Sequence, residues 1–165
     1  MEEISIEIPA AVNESIRDYA PGSPERSSLK SKLVEMENEF YEIPIIIDGK
    51  EIFTGNIGRC RKPHDHQDIL ADYHKSGMAE VNQAIEIARN AWQSWSITPL
   101  QERTLIFRRA AELLAGPWRD TINAATMLCQ SKNVFQAEID AACELIDFFN
   151  FNCQFAEEIY TNQPL

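Results

Sequence analysis

The chain has 165 residues, of which 44% are hydrophobic and 25% are charged. This composition is typical of a folded globular protein and excludes a disordered or collagen-like chain, and the length suits one domain or little more. The 15 basic and 26 acidic residues leave a net charge of −11, which repels phosphate backbones and argues against nucleic acid as a partner. No apolar run approaches the ~20 residues that span a bilayer, so we expect no membrane partner.

The start of the chain and its cysteines indicate the compartment. Glu2 and Glu3 follow Met1 directly, which is the opposite of the basic start of a signal or mitochondrial presequence. The four cysteines include no C-x-x-C pair, and reduced thiols are the default where no export signal is found. We therefore expect a cytoplasmic chain with free thiols.

Two helices are predicted before residue 40. Ser23, Pro24 and Glu25 form a helix-start signal, because serine caps a helix, proline suits its first position and glutamate meets its positive end. This helix is expected over residues 24–39, with an apolar face of Leu29, Leu33 and Met36. A shorter helix is predicted over residues 9–19.

A small β portion follows. Residues 43–47 are mostly β-branched, Asp48-Gly49 is a two-residue type I′ turn signal, and residues 51–54 return as a second strand. Because proline cannot donate to a strand ladder, Pro44 places the first strand at a sheet edge. The rest of this portion is expected to be a loop and then a third strand, at residues 55–67 and 68–74.

The chain is predicted to be helical from residue 78 onward. Apolar residues recur at spacings of three and four, which predicts four helices, at residues 78–95, 98–116, 118–129 and 134–160. The stretch from Thr98 to Gln101 is typical of a capping box, and Gly116-Pro117 is a stop signal. We interpret Trp92 and Trp95 as core anchors.

The final helix has the broadest apolar face. On an ideal helix this face holds Val134, Ala141, Leu145, Phe148, Phe149, Phe155, Ala156 and Ile159. The opposite side is predicted to face solvent and holds Gln136, Asp140, Asp147, Gln154 and Glu158. So broad an apolar face needs more cover than a small hairpin supplies, so the chain is expected to expose apolar surface.

Two acids of this helix are candidate site residues. Glu138 falls near the centre of the apolar face, and Glu144 lies on its border among aromatic residues. A carboxylate there is unfavourable unless it is paired, hydrogen-bonded or facing a polar ligand. Because structural ion pairs perturb acids as often as sites do, the pattern alone favours a structural role for both.

No other motif completes an active site. Cys60, His64 and His66 lie close together, with His74 further on, but zinc needs about four well-placed ligands, so we interpret this cluster as solvated. The sequence has no G-x-S-x-G elbow, G-x-G-x-x-G or P-loop. Cys153 lies among aromatic residues, where an inert buried thiol is favoured. The residues therefore predict no catalytic, cofactor-binding or metal site in this chain.

Several stretches match a known family. Four of them are Asn13-Glu14, the motif APGSPER at residues 20–26, the motif IPIIIDGK at residues 43–50, and the segment 84–114 with its paired tryptophans. The most specific is QAEIDAACELIDFFNFN at residues 136–152. On these residues the chain, from about residue 13 to 164, resembles the N-terminal part of the Δ1-pyrroline-5-carboxylate dehydrogenase family, in the aldehyde dehydrogenase superfamily.

The resemblance implies an α/β fold, namely the N-terminal portion of an aldehyde-dehydrogenase-like fold that is here mostly α-helical with a small β-hairpin and sheet. It implies three parts: an N-terminal helical segment, a hairpin and strand of the oligomerisation type, and the helical part of an incomplete NAD-binding domain, at residues 1–40, 41–76 and 77–165.

The resemblance also implies an activity. Members of this family oxidise L-glutamate γ-semialdehyde to L-glutamate in proline catabolism: a cysteine attacks the aldehyde, a hydride passes to NAD, and a glutamate-activated water releases the acid. The residues that do so lie beyond residue 165 in the family, so this chain alone is expected to be inactive. The family's glutamate in the word ELIDFF faces the amino group of the semialdehyde, and Glu144 occupies that position. Glu138 keeps its structural interpretation.

The chain departs from the family at two loops. Ser131-Lys132-Asn133 stands where the family has Gly-Lys-Thr, and residues 62–66 replace a Pro-Phe-Asn-like word, which bears on fine positioning. Together with the short length, these changes are compatible with a split gene or a decayed gene.

The alternative function is a non-enzymatic assembly module that pairs with a full-length subunit or a separately encoded remainder. The expected partners are a second copy of the chain or such a complementing fragment.

Overall fold

The structure, a computed structural model, describes residues 10–163. Its strands are β1 (Tyr41–Ile43), β2 (Ile45–Ile47), β3 (Lys50–Ile52), β4 (Ile57–Lys62) and β5 (Asp65–His74). Its helices are α1 (Pro24–Glu37), α2 (Met78–Trp95), α3 (Leu100–Ala115), α4 (Arg119–Gln130), α5 (Val134–Ala137), a π-helical turn (Glu138–Cys143) and α6 (Glu144–Thr161). The expected mixed fold, mostly helical with a small β portion, is confirmed. The division into three domains stays a prediction.

Helix α1 begins as predicted and builds the first part of the core. The Ser23 side chain accepts a hydrogen bond from the backbone N–H of Arg26 and caps the helix, with proline in the first turn. Leu29 is buried in a cluster with Tyr19, Ala124, Leu33, Met36, Met127 and Val134. The predicted apolar face of α1 is therefore confirmed, and it packs mainly on α4.

The predicted helix over residues 9–19 is wrong. Residue 9 lies outside the described residues, and residues 10–19 have no helical or strand structure. The backbone N–H groups of Ala11, Glu14 and Arg17 instead donate to side chains of the long C-terminal helix. Those long-range partners satisfy the donors that a local helix would have satisfied.

The β portion contains two strands that were not predicted, β1 before the β2–β3 hairpin and β4 after it. Pro44 divides the first predicted strand into β1 and β2. The pair β2–β3 is antiparallel, and its turn has positive φ at both Asp48 and Gly49, which confirms the type I′ turn. The second sheet has the order β1-β5-β4, with β1 parallel and β4 antiparallel to β5.

The predicted loop at residues 55–67 is wrong, because most of it is strand β4 and the start of β5. Gly58 sits under the ring of Tyr73, where an added Cβ would come within 2.3 Å of the ring. Lys62 is buried and pairs with Glu37 of α1 at 2.9 Å and with Asp68 of β5 at 2.6 Å. The sequence hides this strand because its glycine and charged residues serve these contacts and interrupt the apolar alternation of a strand.

Helices α2, α3 and α4 lie close to their predicted positions, but two details are wrong. The N-cap of α3 is Pro99 without a side-chain cap, and the Thr98 hydroxyl donates back to the carbonyl of Ser94, so there is no capping box. Helix α2 has no buried residue: Trp92 is 67% exposed and Trp95 is 42% exposed. The two tryptophans are therefore not core anchors within residues 10–163.

The long C-terminal helix has the predicted extent, but it is not regular. The π-helical turn Glu138–Cys143 lies between α5 and α6, and a π-turn adds one residue and rotates the following faces. The buried side of the helix is therefore Ala137, Glu138, Ala142, Cys143, Ile146 and Cys153. Phe148, Phe155 and Ile159, which were predicted to lie on the broad apolar face, are exposed, as expected for a face that this chain covers only in part.

The remaining surface is rich in exposed apolar side chains, as predicted. They are concentrated on the hairpin and on α2, α3 and α6, and include Ile46, Phe53, Trp92, Ile106, Phe107, Phe148, Phe155 and Ile159. Within residues 10–163, none of the helices combines the length and the apolar composition needed to cross a bilayer.

The cap of α1 gives a first testable prediction. Replacing Ser23 by alanine (Ser23→Ala) removes the acceptor for the Arg26 N–H, so we expect the free energy of unfolding to fall by about 1 kcal/mol. Urea unfolding followed by circular dichroism measures this change. Ser31→Ala, at an exposed position inside the same helix, is the matched control and should change stability by less than about 0.5 kcal/mol. Equal effects of the two substitutions would contradict the capping role.

Candidate functional site

Glu138 is the centre of a buried polar cluster that joins three parts of the chain. Its side chain is 0% exposed. The Nη2 and Nε atoms of Arg119, on α4, donate to its two carboxylate oxygens. The Tyr19 hydroxyl and the Asn123 amide donate to Oε2 at 2.8 Å each, and the backbone N–H of Arg17 donates to Oε1 at 2.8 Å. The predicted ion pair with a neighbouring helix is therefore present.

The electrostatics of this cluster favour the ionised carboxylate. Burial by itself raises the pKa of Glu138, but Arg119, the Arg17 N–H, Tyr19 and Asn123 outweigh it and lower the pKa to about 2. Burial and the hydrogen bond to Glu138 raise the pKa of Tyr19 to about 12. Arg119 also binds Glu14 Oε1 and the carbonyl of Ser15, both at 2.7 Å. Glu138 is therefore held as an anion by a closed set of donors, which leaves no capacity for proton transfer.

The cluster continues as a row of contacts along α6. Asp147 accepts from the backbone N–H of Glu14 at 2.6 Å and from the Asn13 amide at 2.8 Å, and Gln154 accepts from the N–H of Ala11 at 2.7 Å. Asp147 and Gln154 were predicted to face solvent, and that prediction is wrong for both. Their side chains fasten the N-terminal segment to the long helix.

Glu144, the predicted substrate-binding residue, lies apart from this cluster. It is the first residue of α6, directly after the π-helical turn, and its side chain is exposed. Within residues 10–163 no hydrogen bond or ion pair engages its carboxylate. Exposed Phe148 lies one turn further along α6. Phe151 and Phe155 follow on the same helix, and their ring centroids are 6.0 Å apart. Glu144 is thus an unengaged acid on the aromatic side of the helix.

The candidate metal ligands do not meet. The Cys60 Sγ lies 3.8 Å from the Cys129 Sγ, the His64 Nδ1 lies 2.6 Å from the Ser131 hydroxyl, and the His74 ring contacts Glu42 and the N–H of Gly55. Across residues 10–163 no three histidine, cysteine or acidic side chains are grouped as metal ligands. The side chains that are close in sequence therefore contact different residues and do not form a cluster.

The buried cysteines have no feature of a nucleophile. Cys153 is buried beside an open groove of about 410 Å³ between α3 and α6, and burial raises its pKa. Cys143 is buried beside Glu138, and burial and that negative charge raise its pKa to about 11. Both thiols stay protonated at neutral pH, which favours the inert interpretation made from sequence for Cys153.

Sequence reasoning missed the partners of Glu138. Arg119 and Asn123 lie four residues apart on α4 and share a helix face, and both are fully buried. The sequence did contain one indication of this ion pair: an arginine lies on the inward face of one predicted helix, and a glutamate lies on the inward face of the next. Tyr19 carried no such signal, because its segment was interpreted as a helix.

Comparison with known proteins decides the family. Residues 54–164 match the sequence model of the aldehyde dehydrogenase family. The chain belongs to the aldehyde dehydrogenase family. Among curated relatives of this aldehyde dehydrogenase chain, Delta-1-pyrroline-5-carboxylate dehydrogenase from Agaricus bisporus is 44% identical over 161 residues, which cover 97% of this chain and 30% of the relative. The mitochondrial enzyme of that name from Mus musculus is 39% identical over 153 residues, which cover 93% of this chain and 27% of the relative.

Solved structures give the same picture. The structure of Delta-pyrroline-5-carboxylate dehydrogenase from Mycobacterium tuberculosis bound with NAD superposes with a TM-score of 0.95 at 43% identity. The superposition covers 100% of this chain and 31% of that one. This aldehyde dehydrogenase chain therefore spans about 30% of the length of the relatives that it matches.

The Glu138 cluster predicts a dependence of stability on pH. Because the pKa of Glu138 is lowered from 4.5 to about 2, its contribution is present above pH ~4.5 and is lost as the pH falls through ~2. We expect the free energy of unfolding to drop by roughly 3 kcal/mol from this group over that interval. Urea unfolding at a series of pH values measures it.

The substitution Glu138→Gln separates this group from other acids. It leaves the Arg119 charge buried without its counterion, so we expect a loss of roughly 3–5 kcal/mol at pH 7 and a shallower decline in acid. Asp140→Asn, which breaks a more exposed pair with Lys132 in the same helical turn, is the control and should cost about 1 kcal/mol or less. If Glu138→Gln kept the full acid dependence, the assignment to Glu138 would be wrong.

Proposed function

We propose that this chain supplies the N-terminal part of an NAD-dependent aldehyde dehydrogenase that oxidises L-glutamate γ-semialdehyde, in equilibrium with 1-pyrroline-5-carboxylate, to L-glutamate in proline catabolism. The single observation that carries the proposal is the match over its whole length to a protein described as Delta-pyrroline-5-carboxylate dehydrogenase bound with NAD, at 43% identity and a TM-score of 0.95. Function follows sites rather than folds, so the chemistry of the residues in this chain must also agree.

Glu144 is the residue of this chain that we assign to substrate binding. The semialdehyde carries an ammonium group, and an exposed carboxylate without a protein partner can pair with it. A charge-assisted hydrogen bond of this kind is about twice as strong as a neutral one. Phe148, Phe151 and Phe155, on the same helix, offer apolar surface to the aliphatic part of the molecule. In the proposed enzyme, Glu144 therefore orients the substrate and takes no part in bond breaking.

The described residues do not form the nucleotide site. NAD would accept the hydride in the oxidation, but none of the six glycines of the chain forms a G-x-G-x-x-G turn, which is the usual cradle for its pyrophosphate. The pKa values of the buried Cys143 and Cys153 thiols are raised, which opposes a nucleophilic role. We therefore assign NAD binding and the catalytic thiol to segments of the enzyme outside this chain.

The exposed apolar surface supports association with further protein. Trp92, Phe107 and Phe148 lie exposed on three different helices, and apolar side chains of this size favour an interaction surface where they adjoin one another. We propose that the remaining segments of the dehydrogenase cover the helices and that the hairpin, with Ile46 and Phe53 exposed, contacts a second subunit. The alternative proposal, a non-enzymatic assembly module, uses the same surfaces to bind a full-length subunit or a separately encoded remainder.

A cytoplasmic location also belongs to the proposal. The four cysteines are free, which is compatible with a reducing compartment. The names of relatives differ on this point, since the Mus musculus relative is called mitochondrial and the Agaricus bisporus relative is not.

The proposed activity predicts a difference between the chain and a chimera. The 165-residue polypeptide alone, mixed with NAD and the semialdehyde, should give no NADH, because the pKa values of its buried Cys143 and Cys153 thiols are raised and its sequence contains no G-x-G-x-x-G turn. A chimera in which residues 10–163 replace the matching segment of the Mycobacterium tuberculosis enzyme should give NADH, measured by its absorbance. Turnover by the chain alone, or a folded NAD-binding chimera that is inactive with this substrate, would overturn the proposal. An inactive chimera would favour the alternative assembly module if the chain still binds the rest of the dehydrogenase produced as a separate polypeptide.

The role of Glu144 predicts a change in substrate affinity. In the active chimera, Glu144→Gln removes the charge that pairs with the ammonium group, so KM for the semialdehyde should rise about tenfold or more, and kcat should change much less. Steady-state kinetics with the semialdehyde measures both constants. Glu157→Gln, on a different side of α6, is the matched control and should leave KM unchanged. An unchanged KM in Glu144→Gln would refute the assignment.

A further inference from the structure

Two cysteines that are distant in sequence meet at the junction between the sheet and the helices. Cys60 lies in β4, where the pairing register with β5 shifts, and Cys129 lies in the last turn of α4. Their Sγ atoms are 3.8 Å apart, although the residues are 69 positions apart in the chain. Neither thiol belongs to the Glu138 cluster or to the proposed substrate site, so the pair is a separate feature.

The surroundings of the pair leave room for the two sulfur atoms to approach. Both cysteines line an apolar cavity of about 200 Å³, with Leu70, Ala71 and Leu128 among the other lining residues. A disulfide needs an S–S distance of about 2.05 Å, so the sulfurs must approach by about 1.8 Å. Cys129 is exposed and Cys60 is partly exposed, so a small reagent can reach the pair.

We propose that Cys60 and Cys129 form a reversible intramolecular disulfide by exchange with a low-molecular-weight disulfide. In the first step the thiolate of one cysteine attacks the small disulfide, which gives a mixed disulfide and releases one small thiolate. In the second step the other cysteine, as thiolate, attacks the protein sulfur of the mixed disulfide and displaces the second small thiolate. The two released thiolates take up the protons that the cysteines lost. The two cysteines lose two electrons and two protons, and the small disulfide is reduced to two thiols.

The local electrostatics set the rate of this exchange. Although Cys129 is exposed as a residue, partial desolvation of its sulfur and the neighbouring Cys60 thiol raise the Cys129 pKa to about 11. Only a small fraction of this thiol is ionised at neutral pH, and the thiolate is the attacking species. Exchange that begins at Cys129 is therefore slow at neutral pH and becomes faster as the pH rises.

Closing the pair would join the β4–β5 hairpin to α4. The same junction contains the hydrogen bond between His64, in the β4–β5 turn, and Ser131, at the C-cap of α4. A bond across a separation of 69 residues restricts the unfolded chain strongly, which stabilises the folded state. The proposal does not depend on the proposed dehydrogenase activity, because it concerns only contacts within this chain.

The experiment oxidises the reduced 165-residue chain with excess glutathione disulfide at pH 8.5. Free thiols, counted after denaturation, should fall from four to two. After remaining thiols are blocked, trypsin digestion without reductant should yield the dipeptide Cys60-Arg61 bound to the peptide of residues 120–132. The other cysteines, Cys143 and Cys153, share the single C-terminal peptide of residues 133–165, so their products are distinct. The melting temperature should rise by on the order of 5–10 °C and return after reduction.

Single substitutions provide the controls. Cys60→Ser and Cys129→Ser should each lose the cross-linked peptide and retain a glutathione adduct on the remaining cysteine, and Cys153→Ser should still form the cross-link. Persistence of four free thiols in the wild-type chain, a stable glutathione adduct without the cross-link, a cross-link that includes the peptide of residues 133–165, or exclusively intermolecular dimers would each overturn the proposal. These outcomes are measured on the wild-type chain and hold even if a substituted chain fails to fold.

Discussion

The buried ion pair between Glu138 and Arg119 is the interaction on which the rest of the structure depends. Its carboxylate belongs to the long C-terminal helix and accepts hydrogen bonds from α4 and from the segment before α1, so it holds all three in one place. A buried charge without such donors would be highly unfavourable. The fold therefore tolerates a glutamate at the centre of a helix face only because its neighbours are fixed, and the same glutamate fixes those neighbours in return.

The extended N-terminal segment follows from a match of distances. Its N–H groups at residues 11, 14 and 17 bind helix residues 154, 147 and 138. Three extended residues span about 10 Å, and the seven helical residues from 147 to 154 rise about 10.5 Å. The second interval, from 138 to 147, is nine residues long and includes the π-helical turn. An extended chain can therefore meet a polar side chain about every two helical turns, and the donors that a local helix would use internally are satisfied by side chains of the C-terminal helix instead. The cost of ordering this segment is offset by contacts that exist only in the folded protein.

The same long helix presents two different chemistries on its two sides. The side with Glu138, Ala142 and Ile146 is buried against this chain, and the side with Glu144 and Phe148 is exposed. The π-helical turn begins at Glu138 and ends directly before Glu144. Its extra residue sets the rotation of Glu144 about the helix axis relative to Glu138. A structural acid and an acid available to a ligand can thus stand six positions apart on one helix. Within residues 10–163 Glu138 is fully paired and the exposed Glu144 carboxylate has no protein partner, and this difference distinguishes the two acids.

The sequence by itself determined the features that depend on neighbouring residues. The cap and apolar face of α1, the type I′ turn at Asp48-Gly49 and the extent of the C-terminal helices follow from local propensities and periodicity, and the family follows from words such as ELIDFF. Strand β4 did not follow, because its glycine and charged residues have their roles in contacts with β5 and α1.

Only the tertiary structure decided which apolar and polar residues are buried. Trp92 and Phe148 have the same apolar character as core residues, and their exposure depends on which other surfaces are present to cover them. Tyr19, Arg119 and Glu138 come from distant parts of the sequence, and so do the thiols of Cys60 and Cys129. Local pattern cannot report such meetings, because they arise when long-range packing selects one partner for each buried group.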